Sequence, residues 1–108
     1  MKLPVVVSRQ AEDDIQRAYD WWAEHRSAAQ ATRWYDGLTA MLGRLGSTSH
    51  QSPHAAESER TAIDVREALF GLGRRPSHRV LFTIRPDSVY VLCVRHVSQD
   101  DVTPDDLF

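Results

Sequence analysis

The sequence predicts one α+β domain in the order β-α-α-β-β-β, a helical hairpin packed on one face of a small, mostly antiparallel sheet. Three features carry that reading. Residues 65–96 read as three short strands separated by turn residues; residues 8–46 carry two apolar helical stripes with almost no link between them; residues 5–7 form a brief β-branched run. A chain of 108 residues is long enough to bury one core, and a single sheet with one helical layer uses it up, so one domain over 1–108 is expected.

The strand region is organised around two runs. Val80, Phe82 and Ile84 alternate with Arg79, Leu81, Thr83 and Arg85, the period of a strand whose two faces see different surroundings. Residues 89–94 are apolar throughout and rich in valine, the pattern of a central strand covered on both faces. Pro86-Asp87 cannot continue a ladder and suits the turn of a hairpin. Ile63, Val65 and Arg66 start a strand before it, with Gly71, Gly73 and Pro76 marking the intervening turn.

In the first half, Pro4 precedes Val5-Val6-Val7, and Ser8 is placed to cap a helix. Ala11, Ile15, Ala18, Tyr19 and Trp22 then share one face, while Glu12, Asp13 and Asp14 occupy the first turns, where the helix dipole favours acids. This helix is expected to end near Arg26. Ser27 and Gln30 have capping-box spacing, and Ala31, Trp34, Tyr35, Leu38, Met41, Leu42 and Leu45 give a second stripe, with Gly46 as the expected stop. Helices so closely joined form an antiparallel hairpin. Trp22 and Trp34 belong to the core stripes, whereas Trp21 lies off the main face and is expected to be partly exposed. Residues 47–60 lose periodicity and read as a surface loop. His50 and His54 within it are expected to be solvated, because Pro53 opposes the helix that would bring both rings to a metal.

Composition narrows the function classes. Hydrophobic content of 42% and charged content of 26% are ordinary for a soluble domain, no apolar run is long enough to span a bilayer, and the first ten residues do not read as a signal peptide, so a cytoplasmic location is expected. The single Cys93 has no disulfide partner within the chain and reads as a buried, inert thiol. Four of the fifteen acids, Asp100, Asp101, Asp105 and Asp106, belong to an acidic C-terminal tail at 97–108; without them thirteen basic residues face eleven acidic ones. That bias is too weak to announce nucleic-acid binding. The phosphate-loop, paired-cysteine, nucleophile-elbow and zincin motifs are absent, so no metal and no small-molecule cofactor is expected.

What remains is a basic set on and between the strands: Arg66, Arg74, Arg75, Arg79, Arg85, Arg95 and His96. Arg79 and Arg85 share parity and are expected on the side away from the helices, where arginines either solvate a sheet face or meet a partner. By this reading Arg79 is dispensable for folding.

The runs Val65-Arg66-Glu67-Ala68-Leu69, His78-Arg79-Val80-Leu81-Phe82 and Val91-Leu92-Cys93-Val94-Arg95-His96, preceded by Ser8, Ala11, Asp14 and Ile15 at the start of the first helix, resemble in type and order the RelE/ParE superfamily of bacterial toxins from type II toxin-antitoxin modules. The resemblance implies a growth-inhibiting toxin, associated with plasmid stabilization and held silent by a cognate antitoxin. Two branches differ in target. RelE-like members resemble endonucleases of ribosome-bound mRNA, for which Arg79, Arg95 and His96 would be the catalytic candidates, the arginines stabilising phosphate charge and the histidine moving protons. ParE-like members resemble non-catalytic inhibitors of DNA gyrase. Lys2 is the only lysine, and no tyrosine follows His96, so the nuclease set is depleted and the ParE-like branch is favoured. A degenerate toxin kept only to bind its antitoxin is a third reading. For target or antitoxin contact the expected residues are Arg66, Arg79, Arg85 and Arg95, on an open sheet face with an unpaired edge that a folding antitoxin segment would cover.

Overall fold

The computed structural model describes residues 2–98. Strand β1 (Val5–Val7) leads into α1 (Arg9–His25) and α2 (Ala28–Thr48), followed by β2 (Arg66–Phe70), β3 (His78–Ile84) and β4 (Val89–His96). These strands form one sheet in the order β1-β4-β3-β2; β1 runs parallel to β4 and the other pairs are antiparallel. The predicted α+β class and element order are those observed. Of the acidic tail at 97–108, all but Val97 and Ser98 lies outside the described residues.

Local chemistry accounts for the helix starts. Ser8 Oγ accepts from Ala11 N at 3.0 Å and also donates to the Leu92 carbonyl at 2.9 Å, so one hydroxyl caps α1 and pins it to β4. Ser27 Oγ accepts from Gln30 N at 3.0 Å at the head of α2. The second helix does not stop at Gly46 but runs to Thr48. Gly46 serves a different purpose: Leu3 N donates to its carbonyl at 3.0 Å, and a β-carbon there would collide with the Leu3 carbonyl. Glycine lets the N-terminal segment approach the helix, and the helix continues because a glycine costs a helix interior only about 1 kcal/mol, as it already does at Gly37 and Gly43.

The helices cover one face of the sheet. Trp34, Leu38, Leu42 and Leu45 of α2 pack with Val80, Phe82, Val89, Val91 and Val94 in one cluster, which Ala11 of α1 joins. On β4 the alternation breaks. Leu81 pairs with Cys93 but Phe82 with Val91, a bulge that leaves Leu92 between them. Leu92 and Cys93 both join a second, smaller cluster with Leu81, Val65 and Ala55.

That second cluster overturns the expectation of an open sheet face beside an irregular loop. Residues 47–60 include the end of α2 and two short 3₁₀ turns, Ser49–Gln51 and Ala56–Arg60, and bury Ser49, Ala55 and Glu57. Their backbone also closes part of the sheet edge: Ala55 N donates to Val65 O at 2.8 Å, Glu67 N donates to Pro53 O at 3.0 Å, and His54 pairs with Arg66. The edge at β2 is thus partly blunted by the chain itself. No helix among the described residues is long and apolar enough to cross a membrane.

Candidate functional site

Each arginine singled out in the sequence has a definite place. Arg79 does point away from the helices, yet its side chain is only 12% exposed. It donates from Nη2 to Glu57 Oε1 at 2.8 Å, from Nη1 to Glu57 Oε2 at 3.0 Å, and from Nε to Glu67 Oε1. Glu57 is fully buried, so the fork of Arg79 balances a loop carboxylate that has been drawn onto the sheet. Hydrogen bonding to Glu57 foremost raises the guanidinium pKa, with Glu67 adding to it and burial opposing it. Arg79 is thus tied into the packing by two carboxylates rather than solvated on an open face as the sequence expectation had it.

Arg66 reaches back across the loop and donates to the Ser52 carbonyl at 2.8 Å and to the His50 carbonyl at 3.3 Å. Arg85 is exposed and lies over the Tyr90 ring, 4.0 Å from its centroid. Arg74 and Arg75 are exposed in the turn before β3. His50 and His54 are exposed too, and His54 Nε2 is 3.5 Å from Asp64 Oδ1. Cys93 is buried, and burial pushes its thiol pKa up to about 11.

Arg95 and His96 occupy a different place, where β4 outruns β1. Strand β1 pairs only with residues 89–91, and the N-terminal half of α1 takes over along the rest of β4. Asp14 is central to that handover. Its Oδ2 accepts from Val94 N at 3.0 Å, while Oδ1 accepts from Arg17 Nη2 at 2.6 Å and from Gln10 Nε2 at 2.9 Å. An acid only 6% exposed thereby satisfies a backbone donor that a neighbouring strand would otherwise take. Arg95 Nε lies 3.9 Å from Asp14 Oδ2, too far for a hydrogen bond, and this buried nitrogen has no hydrogen-bond partner among the described residues.

Between α1 and the ends of β3 and β4 lies a cleft of about 600 Å³. Arg17, Trp21, Trp22 and Arg26 line it from the helix side, and Arg95 and His96 from β4. His78 and His96 are register partners whose rings approach to 5.3 Å, and His78 also packs 5.0 Å from Trp34. Burial first, and the proximity of His96 second, lower the pKa of His78 to about 4. It is therefore a neutral ring at neutral pH. Arg79 and Arg95 are register partners as well, but their side chains part: Glu57 and Glu67 hold Arg79, while Arg95 reaches toward Asp14 and lines the cleft with His96. The three residues considered for nuclease chemistry therefore do not converge on one space. Among the described residues no group of three or more histidine, cysteine or carboxylate side chains is placed to hold a metal ion.

The sequence profile described as ParE toxin of type II toxin-antitoxin system, parDE, matches residues 5–101. The chain belongs to the ParE toxin family. A solved structure described as a chromosomal ParDE TA system from P. aeruginosa has the same fold, with a TM-score of 0.71 at 14% identity, covering 90% of this chain and 98% of that one. Among curated proteins no match is found. In this ParE-family chain, the roles of two residues that organise the site were missed from sequence. Asp14, placed there as a first-turn acid, is buried beside Ala11 on the core side of α1, a misplaced acid that signals a specific acceptor role; Glu57 has no such signal, because Arg79 is brought to it only by the fold.

Proposed function

We propose that this ParE-family toxin acts in the cytoplasm, stops growth by protein contact with DNA gyrase, and is neutralised by a cognate antitoxin encoded beside it. The family match supports the class, and the observation that carries the non-catalytic reading is the saturation of Arg79 by Glu57 and Glu67. Phosphoryl chemistry needs cations aimed at the developing charge, and a guanidinium already spanning two carboxylates is a poor one. Of the arginines expected to meet a partner, Arg85 stays exposed and Arg95 lines the cleft, whereas Arg66 and Arg79 hold the loop.

Purified toxin added to gyrase supercoiling and to ribosome-bound mRNA cleavage assays tests the target. Lost supercoiling with intact mRNA is expected. Cleaved mRNA with normal supercoiling would replace this reading with the RelE-like one, and growth without arrest on induction would leave only an antitoxin-binding module. Co-expression with the adjacent small gene should give a complex that survives size-exclusion chromatography, is weakened by salt, and buries more than about 1,200 Å². Separate elution of the two proteins at micromolar concentration would remove that gene product as the antitoxin.

A further inference from the structure

The cleft between α1 and the strand ends combines positive charge with an exposed aromatic ring. Its charge is lopsided. Arg17, Arg26 and Arg95 line it against one carboxylate among its described lining residues, Asp14, which pairs with Arg17 at 2.6 Å and lies 3.9 Å from Arg95 Nε, so positive charge remains in excess. Arg26 caps the C-terminal end of α1, where the helix dipole favours a cation, and Arg95 brings a buried Nε with no hydrogen-bond partner among the described residues. Two or three guanidinium groups lining one space are the ordinary recognition of a phosphate.

The walls add a second requirement. Trp21 remains 47% exposed although it is held in place, stacked on His25 at 4.8 Å and set edge-on to Trp22 at 5.4 Å. A large ring kept at a surface and fixed on two sides loses little freedom when another planar ring meets it. The volume of about 600 Å³ is that of a small-molecule site rather than of a flat protein contact. Phosphate chemistry beside an exposed aromatic wall is the combination that recognises a nucleotide.

We propose that this cleft binds a 5′-phosphorylated nucleotide, its phosphate held by Arg26 and Arg95 and its base stacked on Trp21, with Trp22 edge-on beside it. The same chemistry is offered by a free mononucleotide and by the phosphorylated end of a strand. The site goes beyond the proposed gyrase contact and is tested on the toxin alone, so failure of one leaves the other standing.

The experiment is a titration of the ¹⁵N-labelled full chain, following the three tryptophan indole N–H signals by NMR. The probes are guanosine 5′-monophosphate, guanosine, inorganic phosphate and a 5′-phosphorylated tetranucleotide. The mononucleotide should shift the Trp21 and Trp22 signals far more than that of the buried Trp34, with saturation below ~1 mM, and guanosine and phosphate should each bind at least ~10-fold more weakly. Arg26→Ala should weaken the mononucleotide at least ~5-fold, and Trp21→Ala should erase its advantage over phosphate, both with thermal midpoints near that of the parent. Equal affinity for the tetranucleotide assigns the site to any phosphorylated end, and a loss of affinity assigns it to the free nucleotide. Absence of saturation by ~5 mM mononucleotide, phosphate binding as tightly as the mononucleotide, or undiminished binding in both folded variants would overturn the proposal.

Discussion

The two faces of the sheet are covered by different physics. On the helix side, Phe82 and its neighbours meet a continuous apolar stripe from α2, so burial of hydrocarbon holds the layers together. On the other side, Leu81, Leu92 and Cys93 meet a smaller apolar set around Ala55 and Val65, and the cover is held down by a buried ion pair and backbone bonds. A loop without periodicity can therefore cap a sheet when charged side chains and strand-like hydrogen bonds fix it, here Arg79 with Glu57, Arg66 with two loop carbonyls, and the Ala55 and Glu67 amides. Hydrophobic cover is non-directional and adaptable; an ionic latch depends on one geometry and fails when either partner is removed.

Damage to the helix-covered face should have the largest effect. Phe82→Ala is expected to cost about 3–5 kcal/mol, a large part of the stability of a small domain, because a fully buried ring leaves a cavity among close-packed valines and leucines. A thermal midpoint unchanged within error would show that the two faces do not differ as described. The loop-covered face is next. Arg79→Ala should cost about 3 kcal/mol by taking from buried Glu57 a two-point guanidinium partner, and the paired change Arg79→Met with Glu57→Leu should recover most of that loss. Chemical denaturation of parent, single and double variants measures both, and a double variant no better than the single one would mean that the latch contributes more than its charge balance.

A pH series extends the contrast to the rim of the cleft. Folded His78 takes its proton only near pH 4, against an ordinary value of 6.5, so the unfolded chain binds more protons between these limits. Its contribution is complete above about pH 6.5 and is lost as pH falls toward 4, by about 2 kcal/mol once partial solvent access is allowed for. His78→Gln should flatten the thermal midpoint over that window; identical slopes in parent and variant would assign the dependence elsewhere. The smallest effect is expected at Arg85, exposed over Tyr90, where Arg85→Ala should cost no more than about 1 kcal/mol. A larger loss in denaturant midpoint would place Arg85 among the structural arginines with Arg66 and Arg79.

Much of this molecule is written in local pattern. The alternation of Val80, Phe82 and Ile84, the serine caps of both helices and the Trp34 to Leu45 stripe specify the elements and the face that each presents, because side-chain direction follows directly from helix and strand period. The same rule placed Arg79 on the side away from the helices. It could not say what would meet it there.

Element order, the helix-facing core and the resemblance to a toxin family are legible without coordinates, since each rests on spacing within a few residues or on the order of short motifs. The roles of the charged residues are set by contacts that only folding creates. Glu57 and Arg79 are 22 positions apart, and Asp14 and Val94 are 80 apart; no periodicity links either pair. Whether a charge is solvated, latched or turned into a cleft depends on what the fold brings beside it, because the energy of a charge is set by its surroundings rather than by its own side chain.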